Sequence, residues 1–368
     1  MARNTDIKFM SLAINLAKKA EGMTSPNPLV GAVVVKKRMI IGKGFHKRAG
    51  LPHAEIEAIL NAERKGKNVR GSTLYVTLEP CCHTQKRTPP CIEYIIKKGI
   101  SSVVIGCHDA NPKVSGKSVA LLRKAGIRIR SGVLEEMCKE INEAFFKYIT
   151  TGIPFIILKL AASLDGKIAT FTGDSKWIGS ESQRKLAHKL RNKVDAIMVG
   201  IETVLRDDPE LTVRLGNKPK HQPIPIILDS KLRIPLNSRL LRNHKSPLII
   251  TTSRSIHKKI SELERIGARI LIVDKDENGQ IDLTHLLRQL RDLELTSILI
   301  EGGAKVAASA LRKRIVDKIV FFYAPKIIGE EGISMLGKLG TSKVTDAVHI
   351  KRIKVKSFGD EIVLEGYL

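Results

Sequence analysis

Apolar residues recur along this chain in two rhythms, and their alternation predicts an α/β protein. Ile7, Met10, Ile14 and Ala17 keep helical spacing up to Gly22, with Thr5 or Asp6 as the cap. After the loop Ser25-Pro26-Asn27-Pro28, two short apolar runs, 29–35 and 39–45, flank a charged turn and predict a hairpin. A helix follows from Pro52 to about Lys65, closed by Gly66. From there strands (73–78, 103–107, 127–133) alternate with helices (91–98, 116–125, 134–148), the pattern of a three-layer α/β domain.

Thr150-Thr151-Gly152-Ile153-Pro154 is where a long helix stops and a fresh series begins, so the chain divides into domains 1–150 and 151–368. Strands are predicted at 155–161, 196–199, 224–228, 248–251, 269–273, 297–300 and 315–323, with helices between several of them. No apolar run reaches membrane-spanning length, and the first residues lack a signal-peptide pattern, so a cytoplasmic protein is expected.

Charge changes this picture less than its size suggests. The chain carries 63 basic and 37 acidic residues, a net +26. Residues 1–150 hold 26 basic against 12 acidic, and the remainder 37 against 25, so the excess is spread and not gathered into a stripe. Aromatic residues make up 4%, too few for platforms that stack single-stranded bases. No nucleic-acid or membrane partner is therefore expected; a generally basic proteome and an attraction for anionic small substrates are the alternative sources of the charge. The oligomeric state is left open.

Five cysteines in so long a chain do not form a disulfide framework and suit metal ligation in a reducing compartment. His53-Ala54-Glu55 opens a helix, Pro80-Cys81 ends a strand, and Pro90-Cys91 opens the next helix. One imidazole and two thiolates leave a fourth zinc position for water, the catalytic arrangement. The zinc-deaminase signature is H-x-E followed by P-C-x-x-C, yet here Cys81 is followed by Cys82 and His83 and no third-position cysteine. The second thiolate must then come from Cys91, across a longer loop. His53, Cys81 and Cys91 are the predicted ligands of one zinc per chain, and Glu55 is the predicted general acid/base.

The wider pattern resembles a known family. Ser25-Pro26-Asn27-Pro28-Leu29-Val30-Gly31, His53-Ala54-Glu55, Glu79-Pro80-Cys81-Cys82-His83 and Thr88-Pro89-Pro90-Cys91 are similar to the deaminase half of the bifunctional riboflavin-biosynthesis deaminase/reductases of bacteria. The stretch 84–87 is one residue longer than the family's usual loop and lacks its glycine. The resemblance implies a cytidine-deaminase-like domain, with Asn27 holding substrate and His46 and His83 as weaker candidates. In the second half, the stretches 159–167, Ser175-Lys176-Trp177-Ile178, 200–213 and Glu301-Gly302-Gly303-Ala304 are similar to the family's reductase, as far as about residue 348.

That resemblance implies a fold like dihydrofolate reductase and NADPH as its cofactor. Ala161, Trp177, Thr203, Asp207, Ser230 and Gly303, Ala304, Lys305, Val306, Ala307, Ala308 and Ser309 would contact NADPH. Ser175, Arg191, Leu211, Arg214 and Glu301 would contact the phosphorylated aminopyrimidine substrate, the two arginines being suited to its phosphate. Gly302-Gly303 between strand and helix fits a pyrophosphate. Lys159 and Glu301 are the candidates for the reductase's proton donor. Two rival readings are a tRNA or nucleoside deaminase with an unrelated tail and a basic nucleic-acid-binding protein with a structural zinc. The Thr88–Cys91 loop and Gly302-Gly303 count against the first, and Glu55 beside an open coordination position against the second.

Overall fold

A computed structural model describes residues 2–82, 90–111, 114–216, 221–252 and 256–368. They form two compact units, Met1–Gly152 and Ile153–Leu368.

In the first unit, α1 (Ala2–Ala17) precedes the hairpin β1 (Gly31–Lys36) and β2 (Met39–Phe45), then α2 (Ala54–Arg64) and β3 (Thr73–Leu78). There follow α3 (Cys91–Lys97), β4 (Ser102–Cys107), α4 (Lys117–Lys124), β5 (Arg128–Arg130), α5 (Glu135–Glu140) and α6 (Glu143–Thr151). The sheet runs β2-β1-β3-β4-β5, antiparallel across the hairpin and parallel from β3 to β5. The helices seat closely on it. A Cβ at Gly44 would lie 2.3 Å from the backbone nitrogen of Ala58, so only glycine lets α2 lie this near β2.

Three local expectations fail here. Helix α1 starts before Asp6, which caps nothing; its carboxylate accepts from the Tyr75 hydroxyl (2.8 Å) and pairs with Arg130. The third parallel strand is only three residues long. The helix expected over 134–148 is two helices, broken at Ile141-Asn142. Asn142 is buried there, and its amide accepts from Leu29 N (2.7 Å) and donates to Leu29 O (2.9 Å). A side chain that pairs with distant backbone competes with helix continuation, and here it fixes the loop that carries Asn27.

The second unit comprises β6 (Phe155–Ser163), β7 (Lys167–Ala169), α7 (Glu181–Arg191), β8 (Ala196–Gly200), α8 (Ile201–Asp207), β9 (Ile224–Leu228) and α9 (Arg239–Asn243). It continues with β10 (Leu248–Thr251), α10 (His257–Arg265), β11 (Arg269–Ile272), α11 (Leu283–Leu290), β12 (Ser297–Ile300) and α12 (Ala304–Arg312). It ends with β13 (Lys318–Ala324), β14 (Ile333–Ser334), β15 (Lys351–Phe358) and β16 (Glu361–Tyr367). One nine-stranded sheet runs β11-β10-β9-β8-β12-β6-β13-β16-β15, parallel except at its β13-β16-β15 edge. Strand β6 is enclosed between β12 and β13, and its apolar side chains join the core on both faces. The pair β15–β16 was not anticipated. Glu361 on β16 is buried and accepts from Ser180 N (2.7 Å) and from the Ser180 hydroxyl, holding the start of α7.

Candidate active sites

In the first unit the ends of α2, β3 and α3 bring three donors together. His53 Nδ1 lies 3.1 Å from Cys91 Sγ and 3.5 Å from Cys81 Sγ, and the two sulfurs are 3.2 Å apart. Among the described residues this is the only group of three or more His, Cys, Asp or Glu with metal-ligand proximity. Soft thiolates and an imidazole nitrogen at such spacing fit the coordination shell of zinc. The Cys91 backbone N–H, at the first turn of α3, donates to Cys81 Sγ (3.3 Å) and favours its thiolate. The other buried thiols differ. Burial, followed by Glu135, pushes Cys138 up to about 12, and burial raises Cys107 as well, so both remain protonated packing residues.

Glu55, in the first turn of α2, is buried against this cluster. Burial raises its carboxyl above the usual range, and the His53 imidazole opposes that rise in part. Behind it His46 is buried, its ring centroid 5.1 Å from that of His53. His46 Nδ1 faces the carbonyl of Pro52 (3.2 Å), which only accepts, so Nδ1 carries the proton. His46 Nε2 then accepts from Asn27 Nδ2 (3.0 Å) and fixes which way the Asn27 amide faces. His46 thus orients Asn27. His83, the 84–87 loop, Thr88 and Pro89 lie outside the described residues.

In the second unit a cleft of about 1460 Å³ opens along the carboxyl ends of the parallel strands, the usual ligand position in such sheets. Ala161, Trp177, Thr203, Asp207 and Ser230 line it, as do Gly303–Val306, Ala308 and Ser309. Ala307 does not: it is fully buried, pointing from α12 into the core. Gly303, the residue before α12, has φ 81°, a conformation glycine adopts without strain. Trp177 is 65% exposed, with the Arg184 guanidinium 4.6 Å above its ring, so it is no core residue.

Ser175, Arg191, Arg214 and Glu301 line the same cleft, whereas Leu211 lines a neighbouring recess of about 290 Å³. Arg191 is not an open fork. Its Nε and one terminal nitrogen bind both Glu301 oxygens (2.8 and 2.6 Å), and the other donates to Thr212 O (3.0 Å). Burial favours the neutral form of Glu301, but Arg191, with Lys159, outweighs it and keeps the carboxylate ionised. Lys159 is half-buried beside them, 5.1 Å from the Phe322 ring, and its desolvation lowers its pKa against the pull of Glu301. Arg214 is the more available cation, 59% exposed and paired with Glu210 (2.6 Å), which also holds Arg239.

Sequence reasoning missed His188, one turn before Arg191 on α7. Its Nδ1 accepts from Arg214 N (3.2 Å), and burial, then Arg191 and Arg214, push its pKa down to about 4. Its place on the Arg191 face of an amphipathic helix was the available signal.

Fold and donor set together define a zinc-type deaminase unit joined to an α/β reductase unit. Residues 3–107 match the cytidine and deoxycytidylate deaminase zinc-binding region, and residues 154–364 the RibD C-terminal domain. The chain belongs to the RibD family of riboflavin biosynthesis proteins, bifunctional enzymes that pair a deaminase with a reductase. It is 45% identical to riboflavin biosynthesis protein RibD of Aquifex aeolicus, over 99% of each chain, and 35% identical to that of Escherichia coli, over 98% of each. A solved deaminase/reductase from Thermotoga maritima, described as a diaminohydroxyphosphoribosylaminopyrimidine deaminase and 5-amino-6-(5-phosphoribosylamino)uracil reductase, superposes with TM-score 0.89. It is 38% identical, over 100% of this chain and 99% of that one. RibD of Acinetobacter baumannii superposes with TM-score 0.88 at 34% identity, over 99% of each chain. The likeness therefore runs through β15 and β16, beyond the limit near residue 348 expected from motifs, and the tail is not unrelated to the deaminase.

Proposed function

We propose that residues 1–150 hydrolyse the 2-amino group of 2,5-diamino-6-ribosylamino-4(3H)-pyrimidinone 5′-phosphate, and that residues 151–368 reduce the ribosyl side chain to ribityl with NADPH. The observation that carries the reading is the three-donor cluster of His53, Cys81 and Cys91 with Glu55 buried against it. Zinc, when bound, supplies a water acidic enough to ionise near neutral pH. Glu55 would carry two protons in turn, the first from the attacking water to the ring nitrogen and the second from the added hydroxyl to the amino group, which leaves as ammonia. Asn27, oriented by His46, holds the pyrimidine.

In the reductase unit a bound NADPH supplies the hydride that adds at the sugar carbon joined to nitrogen. The ring oxygen leaving that carbon takes a proton. Lys159 is the group suited to give it, because burial weakens its hold on the proton while Glu301, ionised by Arg191, has none to give. Arg214 meets the substrate phosphate, with its backbone set by His188. The substrates are small molecules and not nucleic acid, consistent with the spread of basic charge, and the enzyme acts in the cytoplasm. No helix among the described residues is long and apolar enough to cross a membrane.

Ammonia release and NADPH oxidation, followed together on the diaminopyrimidine phosphate, test the reading. Both should proceed in sequence. Release of ammonia from cytidine or from an adenosine in tRNA, with none from the diaminopyrimidine, would overturn it.

A further inference from the structure

Of the three candidate zinc donors, His53 and Cys91 stand at helix starts, but Cys81 lies on an irregular segment past the end of β3. Pro80 before it has no N–H to donate, and its own carbonyl accepts a long bond from Ile92 N (3.4 Å). On the near side the strand end is held by Glu79. The Glu79 N–H donates to Cys107 O (3.0 Å), next to the pairing of Leu78 with Cys107. Its side chain is wholly buried, and Oε2 accepts from His108 Nδ1 (2.9 Å) and from the Gly116 backbone N–H (3.1 Å). These donors are the first residue after β4 and the last before α4. Between them Val114 N and Ser115 N both donate to Asn111 O (2.9 Å), and Asn111 N donates to Asp109 (2.8 Å). One carboxylate oxygen thus grips a compact turn at both ends. The other, Oε1, is buried with no hydrogen-bond partner among the described residues. A buried carboxylate left half unpartnered costs stability, and the deamination steps above make no use of it.

We propose that Glu79 is a positioning residue for the metal: by tying the end of β3 to the turn between β4 and α4, it holds Cys81 where His53 and Cys91 complete the donor set, and so sets the affinity for zinc. The proposal rests on the reading that this cluster holds zinc. Metal–ligand distances hold to within about 0.2 Å, so a strand end free to swing weakens binding before it disturbs the rest of the fold. Glu79 itself touches no metal. Its grip needs an oxygen facing two N–H groups and not a charge, and a glutamine carbonyl can face the same two donors.

The test measures the zinc dissociation constant of the full chain by competition with a chromophoric chelator, beside steady-state deamination. Glu79→Ala should weaken zinc by on the order of 10- to 100-fold, the scale typical of residues that orient metal ligands from behind. Glu79→Gln should restore the affinity to within several-fold, and His108→Ala, which removes one of the two bonds, should fall between. With zinc saturating, KM for the diaminopyrimidine phosphate should stay unchanged in all three. Ile14→Ala, which hollows the core under α1, should lower the denaturant midpoint of the unit and leave zinc affinity alone. Unchanged zinc affinity in Glu79→Ala, an equal loss in Ile14→Ala, or no rescue by Gln would each overturn the proposal. If Glu79→Ala does not fold, His108→Ala decides, and an affinity equal to that of the unaltered chain sinks the idea. Failure of the unaltered chain to bind zinc would instead overturn the metal reading beneath it.

Discussion

In the deaminase unit the candidate metal donors and the proposed acid/base come from two short stretches, 53–55 and 81–91, that meet where α2, β3 and α3 begin or end. In the reductase unit the cleft is assembled from side chains on or behind β6, β8, β9, β12 and β13, and from α7. The first site holds donors within 3.5 Å of one another. The second is a long trough in which several charges are already paired: Arg191 with Glu301, Arg214 with Glu210, Arg233 with Glu202. Such a difference teaches where mutations will be absolute and where they will be graded. A site made of a few coordinating atoms fails when one is lost. A site made of paired charges rearranges and loses affinity by degrees.

Replacing Cys91 with Ser tests the absolute case and should have the largest effect. Zinc content should fall from about one per chain to a small fraction, and ammonia release should vanish, while the reductase still consumes NADPH on deaminated substrate. Cys82→Ser should keep its metal. The reverse result, zinc kept in the first variant and lost in the second, would move the donor set. Glu55→Gln comes next: metal retained, deamination down by about 10²–10⁴-fold, the usual worth of a general acid/base. Metal analysis beside the ammonia assay separates the two roles.

For the graded site, Arg191→Ala should act mainly on stability. It leaves Glu301, whose side chain is 4% exposed, as an unpaired buried carboxylate. Breaking such a pair typically costs about 3–5 kcal/mol, to be read as a lower denaturant midpoint of the reductase unit with the deaminase transition unmoved. Arg214→Ala should cost less, because that side chain is already exposed. A roughly tenfold higher KM for the phosphorylated substrate is expected, with KM for NADPH little changed, on the scale of one charge-assisted hydrogen bond. Weaker NADPH binding with unaltered substrate KM would exchange the two binding regions.

The smallest effect is one of pH. His188 titrates near 4 in the folded chain, against an ordinary 6.5. A depressed pKa means that its contribution to stability is complete above about pH 6.5 and is lost as pH falls towards 4. Denaturant midpoints measured across that interval should decline less steeply in His188→Asn than in the unaltered chain. Parallel slopes would show that His188 is not held neutral.

The same contrast explains what could be read from the chain. His53, Glu55, Cys81 and Cys91 were legible because each stands at an element boundary that the apolar rhythm also marks. The alternation of strands and helices fixed most of both sheets for a similar reason. Asn142 was not legible as a helix breaker, since its partner Leu29 lies more than a hundred residues away. Nor was β15, whose residues are exposed throughout and lack the one-sided apolar face that betrays a strand. The placement of Ala307 depended on the rotation of α12, which one-residue steps along a glycine-led helix do not reveal. Arg191 was recognised as important, but only the structure showed that Glu301 occupies its fork.

Strand β6 has a further consequence, for the chain as it is being made. Phe155–Ser163 is the first strand of its sheet to be synthesised, yet its two neighbours are β12 and β13, whose residues lie at 297–300 and 318–324. Both hydrogen-bonding edges of this apolar segment stay open until β12 has been made, and one of them until β13 has been made. Strands in that condition invite pairing with other chains. The deaminase unit, by then fully translated, faces no such wait. The nascent enzyme should therefore pass through an interval with a folded first unit and an unsheltered β6, the interval in which chaperones have most to protect.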